Sequence, residues 1–211
     1  MRKIKLPRIV SIFLVFVVTS YNSVAQNLIA VQNGNSNSFY TTLDSAITHA
    51  QNGDTIYLPG GSFTVSNTIN KPLCLIGAGY FTDSSITTGI TLVNNITLKK
   101  GADNGSLEGL YINGPIQFGE GDTSESYVSN YRINRCYING GIQFINTQGL
   151  NLSNNISVSE CILMGANNSI NGGPTGFITV SNNLIGGLIR NLNQSVVQNN
   201  IFLFKQQFYN G

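Results

Sequence analysis

Apolar residues recur at alternate positions in short bursts, and glycine, asparagine and serine separate the bursts. Five bursts align as six-residue phrases: L-E-G-L-Y-I (107–112), I-N-R-C-Y-I (133–138), V-S-E-C-I-L (158–163), V-S-N-N-L-I (180–185) and V-Q-N-N-I-F (197–202). Each begins and ends on an apolar residue, and successive starts lie 26, 25, 22 and 17 residues apart. A period near two inside the phrase, with Gly and Asn interrupting every candidate helix, predicts short strands. A period of roughly 20 residues between phrases predicts a solenoid. G-P-I-Q-F (114–118) and G-G-I-Q-F (140–144) repeat as well, so the likeness extends beyond one phrase.

The pattern assigns directions to the side chains. First positions (Leu107, Ile133, Val158, Val180, Val197) and sixth positions (Ile112, Ile138, Leu163, Ile185, Phe202) point inward and stack as two core columns. The fourth position runs Leu110, Cys136, Cys161, Asn183, Asn200, and it also points in, at a corner. There Asn183 and Asn200 can bond turn backbone and each other, with Cys136 and Cys161 filling the same slot as small hydrophobes. Third positions (Gly109, Arg135, Glu160, Asn182, Asn199) face outward, which makes Arg135 and Glu160 neighbours and a candidate surface ion pair. Fifth positions (Tyr111, Tyr137, Ile162, Leu184, Ile201) face solvent, a covering segment or a partner.

Upstream, T-T-L-D-S-A-I-T-H-A-Q (41–51) carries Leu43, Ala46, Ile47 and Ala50 at helical spacing. Thr41 or Thr42 suits the N-cap and Asn52-Gly53 the stop. G-D-T-I-Y-L-P-G-G-S-F (53–63) then reads as strand, turn, strand, and K-P-L-C-L-I-G-A-G (71–79) as a further strand ending in glycines. A short helix there would cover the apolar cross-section of the first coil. The string from Ala46 to Phe63, with K-P-L-C-L-I-G-A-G and the Asn-Asn phrase, resembles right-handed parallel β-helix proteins of the pectate-lyase-like superfamily. The resemblance covers about residues 40–205. It implies an all-β, right-handed parallel β-helix of six or seven coils with a short N-terminal capping α-helix. It leaves activity open, because that superfamily holds lyases, hydrolases, epimerases, adhesins and proteins without catalysis.

The first 25 residues read differently. Arg2, Lys3, Lys5 and Arg8 precede the apolar run Ile9–Val18, and Ser23-Val24-Ala25 follows, the layout of a secretory signal peptide. Residues 26–211 are then a single exported domain, secreted or held at the cell surface or in a periplasm, with no membrane span after cleavage. The chain has eleven Lys+Arg and nine Asp+Glu; losing four basic residues leaves seven against nine, a net charge of −2. No basic patch for nucleic acid remains. Cys74, Cys136 and Cys161 form no dense disulfide framework, and one of the three must stay unpaired within the chain.

Candidate chemistry is sparse. The superfamily resemblance implies an Arg or Lys base for a lyase, and Arg132 and Arg135 are the candidates. A hydrolase would need paired carboxylates, and no close Asp pair of the expected kind occurs. Glu120, Asp122 and Glu125 in G-E-G-D-T-S-E could hold Ca²⁺, though the spacing matches no standard calcium loop and a solvated acidic loop is favoured. No other cofactor is indicated. Tyr111 and Tyr137 could form a platform for a sugar ring. His49 reads as a surface residue of the helix. The end, I-F-L-F-K-Q-Q-F-Y-N-G (201–211), lacks an evident cap, which points to truncation, to residues folded over the end, or to end-to-end self-association, with truncation favoured. The functional expectation is a non-catalytic carbohydrate-interacting or surface module. The alternatives are a polysaccharide lyase or other carbohydrate-active enzyme acting on acidic glycans, and an adhesin or assembly module.

Overall fold

The computed structural model describes residues 28–81, 89–120, 127–145, 152–165, 168–173 and 176–203. The expected signal peptide and the terminal 204–211 lie outside the described residues.

β1 (Ile29–Asn33), which turns Ile29 and Val31 inward, pairs with the largely exposed β2 (Ser36–Tyr40) as an antiparallel hairpin, and Gly34 at φ +54° supplies the turn. A left-handed residue there costs glycine almost nothing. Next comes α1 (Leu43–His49), the one helix among the described residues. Thr42 is its N-cap, with the side chain accepting from Ser45 N–H at 3.2 Å. At the other end Lys71 Nζ donates to the carbonyls of Ile47, Thr48 and Ala50 at 3.1, 2.8 and 2.7 Å. These bonds satisfy orphan acceptors and set a cation at the negative end of the helix. Leu43, Ala46 and Ile47 are buried, so the apolar face expected from their spacing is turned into the core.

Seven strands then recur in one register. They are β3 (Thr55–Leu58), β5 (Cys74–Gly77), β8 (Ser106–Glu108), β11 (Arg132–Asn134), β14 (Ile156–Ser159), β17 (Phe177–Ser181) and β20 (Gln194–Gln198). They pair in parallel in that order, and β1 lies antiparallel against β3 at the start of this first sheet. A second sheet takes β4 (Gly61–Phe63), β6 (Thr91–Val93), β9 (Tyr111–Ile112), β12 (Tyr137–Ile138), β15 (Ile162–Leu163), β18 (Leu184–Ile185) and β21 (Ile201–Phe202), again in parallel order. The third holds β7 (Ile96–Leu98), β10 (Ile116–Phe118), β13 (Ile142–Phe144), β16 (Asn168–Asn171) and β19 (Leu188–Arg190). Each pass of the chain, called a tier below and counted from β3, adds one strand to the first and second sheets, and tiers two to six add one to the third as well.

The register bears out the phrase alignment residue by residue. Leu107 pairs with Ile133, Ile133 with Val158, Val158 with Val180, and Val180 with Val197. Ile112, Ile138, Leu163, Ile185 and Phe202 pair in the same way. Both columns are buried through tier six, and only in the seventh do Val197 and Phe202 become partly accessible. The repeated Ile-Gln-Phe aligns as well: Phe118 and Phe144 stack at 4.5 Å with 14° between their planes. Each fully buried Leu, Ile or Phe contributes about 1.5–3 kcal/mol, so the stacked columns are the main stabilising term.

The chain bends between the first and second sheets at the third phrase position. Gly109, Arg135, Glu160, Asn182 and Asn199 all lie in the left-handed region, with φ of 65°, 49°, 55°, 59° and 55°. The bend aims the fourth residue inward, as expected, and Asn183 is 2 % exposed. A second asparagine stack was not anticipated from the phrases. Asn104, Asn130 and Asn155 share left-handed φ, and their amides bond from tier to tier at 3.2 and 2.7 Å. Each stands three residues before a phrase, a periodicity legible in the sequence. The hairpin of 29–40 was also unanticipated, although Asn33-Gly34 after the alternating start of β1 is a hairpin signal.

Candidate functional site

At the end of β5 the chain reads G-A-G-Y-F (77–81). Gly77 admits no side chain, since a Cβ there would sit 2.5 Å from the Gly109 carbonyl oxygen and 2.6 Å from Leu110. That close approach lets the segment turn across the next tier, where the Gly79 N–H donates to the Gly109 carbonyl at 3.0 Å. Tyr80 and Phe81 are thereby carried over the outer face of the second sheet. A groove of 540 Å³ opens beneath them, lined by Ile76 to Phe81, Glu108, Gly109 and Arg135. That volume lies in the range of small-molecule sites.

The aromatic side chains are ordered by the register. Tyr111 pairs with Tyr137 across β9 and β12, and their rings stack at 4.6 Å, 8° from parallel. Tyr80 lies 6.3 Å from Tyr137 at a 51° tilt and 4.4 Å from Phe81. Phe81 is 54 % exposed. The two stacked tyrosines spend one face each on the other. Their contribution to a platform is therefore their edges and hydroxyls, and Phe81 offers the open apolar face. Burial raises the pKa of Tyr80 above its ordinary value, and Cys161, Cys136 and Glu160 nearby add to the shift. Burial and then Tyr111 raise that of Tyr137. Both hydroxyls stay protonated at neutral pH and serve as hydrogen-bonding groups rather than bases.

Arg135 stands in the groove, ion-paired with Glu108. The sequence had placed its partner one tier the other way, at Glu160. In the left-handed bend the guanidinium leans back to the preceding tier, where Glu108 ends β8 opposite Asn134. The pair is open to solvent, with side chains 60 % and 32 % exposed, so it adds little stability. Arg132 begins β11, exposed on the outer face of the first sheet opposite Ser106 and Ser157, and is not among the groove residues. Glu120 is ion-paired with Lys99 at 3.2 Å. Asp122 and Glu125 lie outside the described residues. Among the described residues no three His, Cys, Asp or Glu side chains gather as a metal site would require. His49 is an exposed helix residue stacked on Tyr40 at 5.3 Å.

Of the sequence candidates, the structure places Arg135 in the groove, with Tyr137 beside it against Tyr80 and Tyr111 stacked on Tyr137, neither tyrosine lining it. It adds three residues that sequence reasoning missed, Tyr80, Phe81 and Glu108. The aromatic pair directly following the glycines of 77–79 was the available signal. The fourth-position residues hold structural places: Cys136, Cys161 and Asn183 are buried under this region and the tiers below, and Asn200 is half-buried.

Comparison with known proteins finds no matching family model, no matching curated protein and no matching solved structure.

Proposed function

We propose that the chain is an exported right-handed parallel β-helix that binds a carbohydrate in the groove of Tyr80, Phe81, Glu108 and Arg135 without turning it over. Support for the β-helix comes from three sheets whose tier strands run parallel, with tiers two to six giving one strand to each, and from inward asparagine bonds stacked along one corner. Right-handedness follows from the strong preference of parallel crossover connections. The pectate-lyase-like likeness of the N-terminal cap and the Asn phrase fits this reading.

The observation that carries the binding role is a backbone anomaly at the groove. In the left-handed column, Gly109, Asn182 and Asn199 are residue types that tolerate the conformation. Arg135 and Glu160 do not tolerate it well, and Arg135 stands in the groove itself, on the tier that carries Tyr137. A residue kept where the backbone disfavours it points to selection for its side chain. A guanidinium beside an open phenyl face and hydroxyl-bearing rings suits a sugar ring, with apolar contact below and donors at the rim. One exposed arginine paired to a single carboxylate is a thin basis for proton abstraction, which favours binding over lyase chemistry.

The test is a panel of neutral and acidic polysaccharides offered to the chain from Gln26. Binding should weaken about tenfold or more in Phe81→Ala and in Tyr137→Ala, with no new reducing ends and no ultraviolet-absorbing product, with or without Ca²⁺. Product that disappears in Arg135→Ala would replace this reading with a lyase. Absence of binding across the panel would sink it.

A further inference from the structure

The fourth phrase position forms one continuous cross-tier ladder made from two chemistries. Asn200 Oδ1 accepts the N–H of Asn183 at 2.9 Å, and Asn183 Oδ1 accepts the N–H of Cys161 at 2.8 Å. One tier further along, Cys161 Sγ accepts the N–H of Cys136 at 3.5 Å. The donors repeat the same geometry. Asn200 Nδ2 reaches Val180 O at 2.9 Å, Asn183 Nδ2 reaches Val158 O at 3.0 Å, and Cys161 Sγ reaches Ile133 O at 3.7 Å. A thiol therefore stands where tiers six and seven carry an amide.

Two thiols stacked in such a column have a reaction open to them that two amides lack. Cys136 and Cys161 follow register partners Asn134–Ser159 and precede Tyr137–Ile162, so they occupy equivalent places on adjacent tiers. Adjacent parallel strands lie ~4.8 Å apart, within the ~4.4–6.8 Å Cα separation that a disulfide spans. The Cys161 sulfur already reaches the Cys136 residue, accepting its N–H, and the two side chains are 0 % and 2 % exposed. Cys74 stands elsewhere, on β5 between Thr55 and Ser106. The odd cysteine count thus resolves into one stacked pair and one single thiol.

We propose that Cys136 and Cys161 close a disulfide that staples the fourth and fifth tiers, next in the chain to the groove's Arg135. The oxidant is a small-molecule disulfide such as oxidised glutathione. A thiolate of one cysteine attacks it and releases the first small thiol. The second cysteine then displaces the other, forming the S–S bond. Two protein S–H bonds are lost, and the two electrons and two protons leave on two small thiols. Burial shields both sulfurs and raises the Cys136 thiol well above its usual range, so the bond forms most readily while the tiers are still closing. The closed loop of roughly 25 residues is long enough for a cross-link to restrict the unfolded chain substantially.

The full chain is equilibrated in reduced and oxidised glutathione mixtures, both folded and during refolding from denaturant, then alkylated, digested and mapped by mass. The expected product joins the peptides of Cys136 and Cys161, lighter by two hydrogens, with Cys74 alone alkylated. Cys74→Ala should keep the link and Cys136→Ala should abolish it. Reduction of the linked form should lower Tm by about 5 °C or more. Three alkylated thiols at the most oxidising mixture, or a link through Cys74, would overturn the proposal. A link whose reduction leaves Tm unchanged would overturn its role as a staple.

Discussion

At the fourth phrase position, tiers six and seven carry Asn183 and Asn200, whereas tiers four and five carry Cys136 and Cys161. The neighbouring third position differs in the same sense. The later tiers use Asn182 and Asn199 in the left-handed bend, and the earlier ones use Arg135 and Glu160. An amide accepts an N–H and donates to a carbonyl of the same preceding tier, with short bonds of 2.8–3.0 Å. A thiol fills the same volume and makes the equivalent bonds at 3.5 and 3.7 Å, which are weak. The later tiers thus follow the local rules of the fold at both positions. The earlier tiers break both, and one of them carries Tyr137 and the groove's Arg135. Departures from local consistency concentrate where function competes with stability.

The comparison can be broken most forcefully at Asn183. Asn183→Ala removes the acceptor of the Cys161 N–H and the donor to Val158 O, and it strips a partner from Asn200. Leaving a buried N–H and carbonyl unpaired should cost about 3 kcal/mol, read from denaturant unfolding. Asn200→Ala, at a half-buried site, should cost about 1 kcal/mol. Equal costs for the two would mean that burial does not grade the ladder.

A smaller effect tests whether the two halves are interchangeable. Cys161→Asn would carry the amide ladder one tier further, placing an Oδ1 against the Cys136 N–H and an Nδ2 against Ile133 O. The residues are similar in volume, so stability should change by less than about 1 kcal/mol and in the favourable direction. The variant should also lose the link between the fourth and fifth tiers and the change in Tm that its reduction produces. A loss above about 2 kcal/mol would show that the slot was shaped for sulfur.

The column architecture was legible because it is written as a period. Apolar first and sixth residues must stack wherever a strand recurs in register, and Leu107 to Val197 did so without exception. The inward Asn183 and Asn200 were legible for the same reason. The groove was not, because its residues come from unlike places: Tyr80 and Phe81 follow a strand end in an early tier, and Glu108 and Arg135 flank bends in two others. No repeat joins them. The direction in which Arg135 leans depends on a left-handed φ that an arginine side chain does not announce. Tier spacing names Glu160, at the same phrase position one tier on, and does not point to Glu108 at the second position of the preceding phrase.

The finest discrimination comes from Arg135→Asn, where two terms of similar size oppose. Asparagine adopts the left-handed conformation more easily than arginine, a gain of about 0.5–1 kcal/mol. The ion pair with Glu108 is lost, but it is exposed and contributes about 0.5 kcal/mol or less. The backbone term wins narrowly, so the variant should unfold at a slightly higher denaturant concentration than the parent. Glycan binding should fall at the same time, because the groove's guanidinium is gone. Stability and binding moving in opposite directions from one substitution would identify Arg135 as a residue held against its backbone preference for the sake of a ligand. A variant that loses both would make Arg135 a structural support of the bend, and the groove would lose its strongest argument.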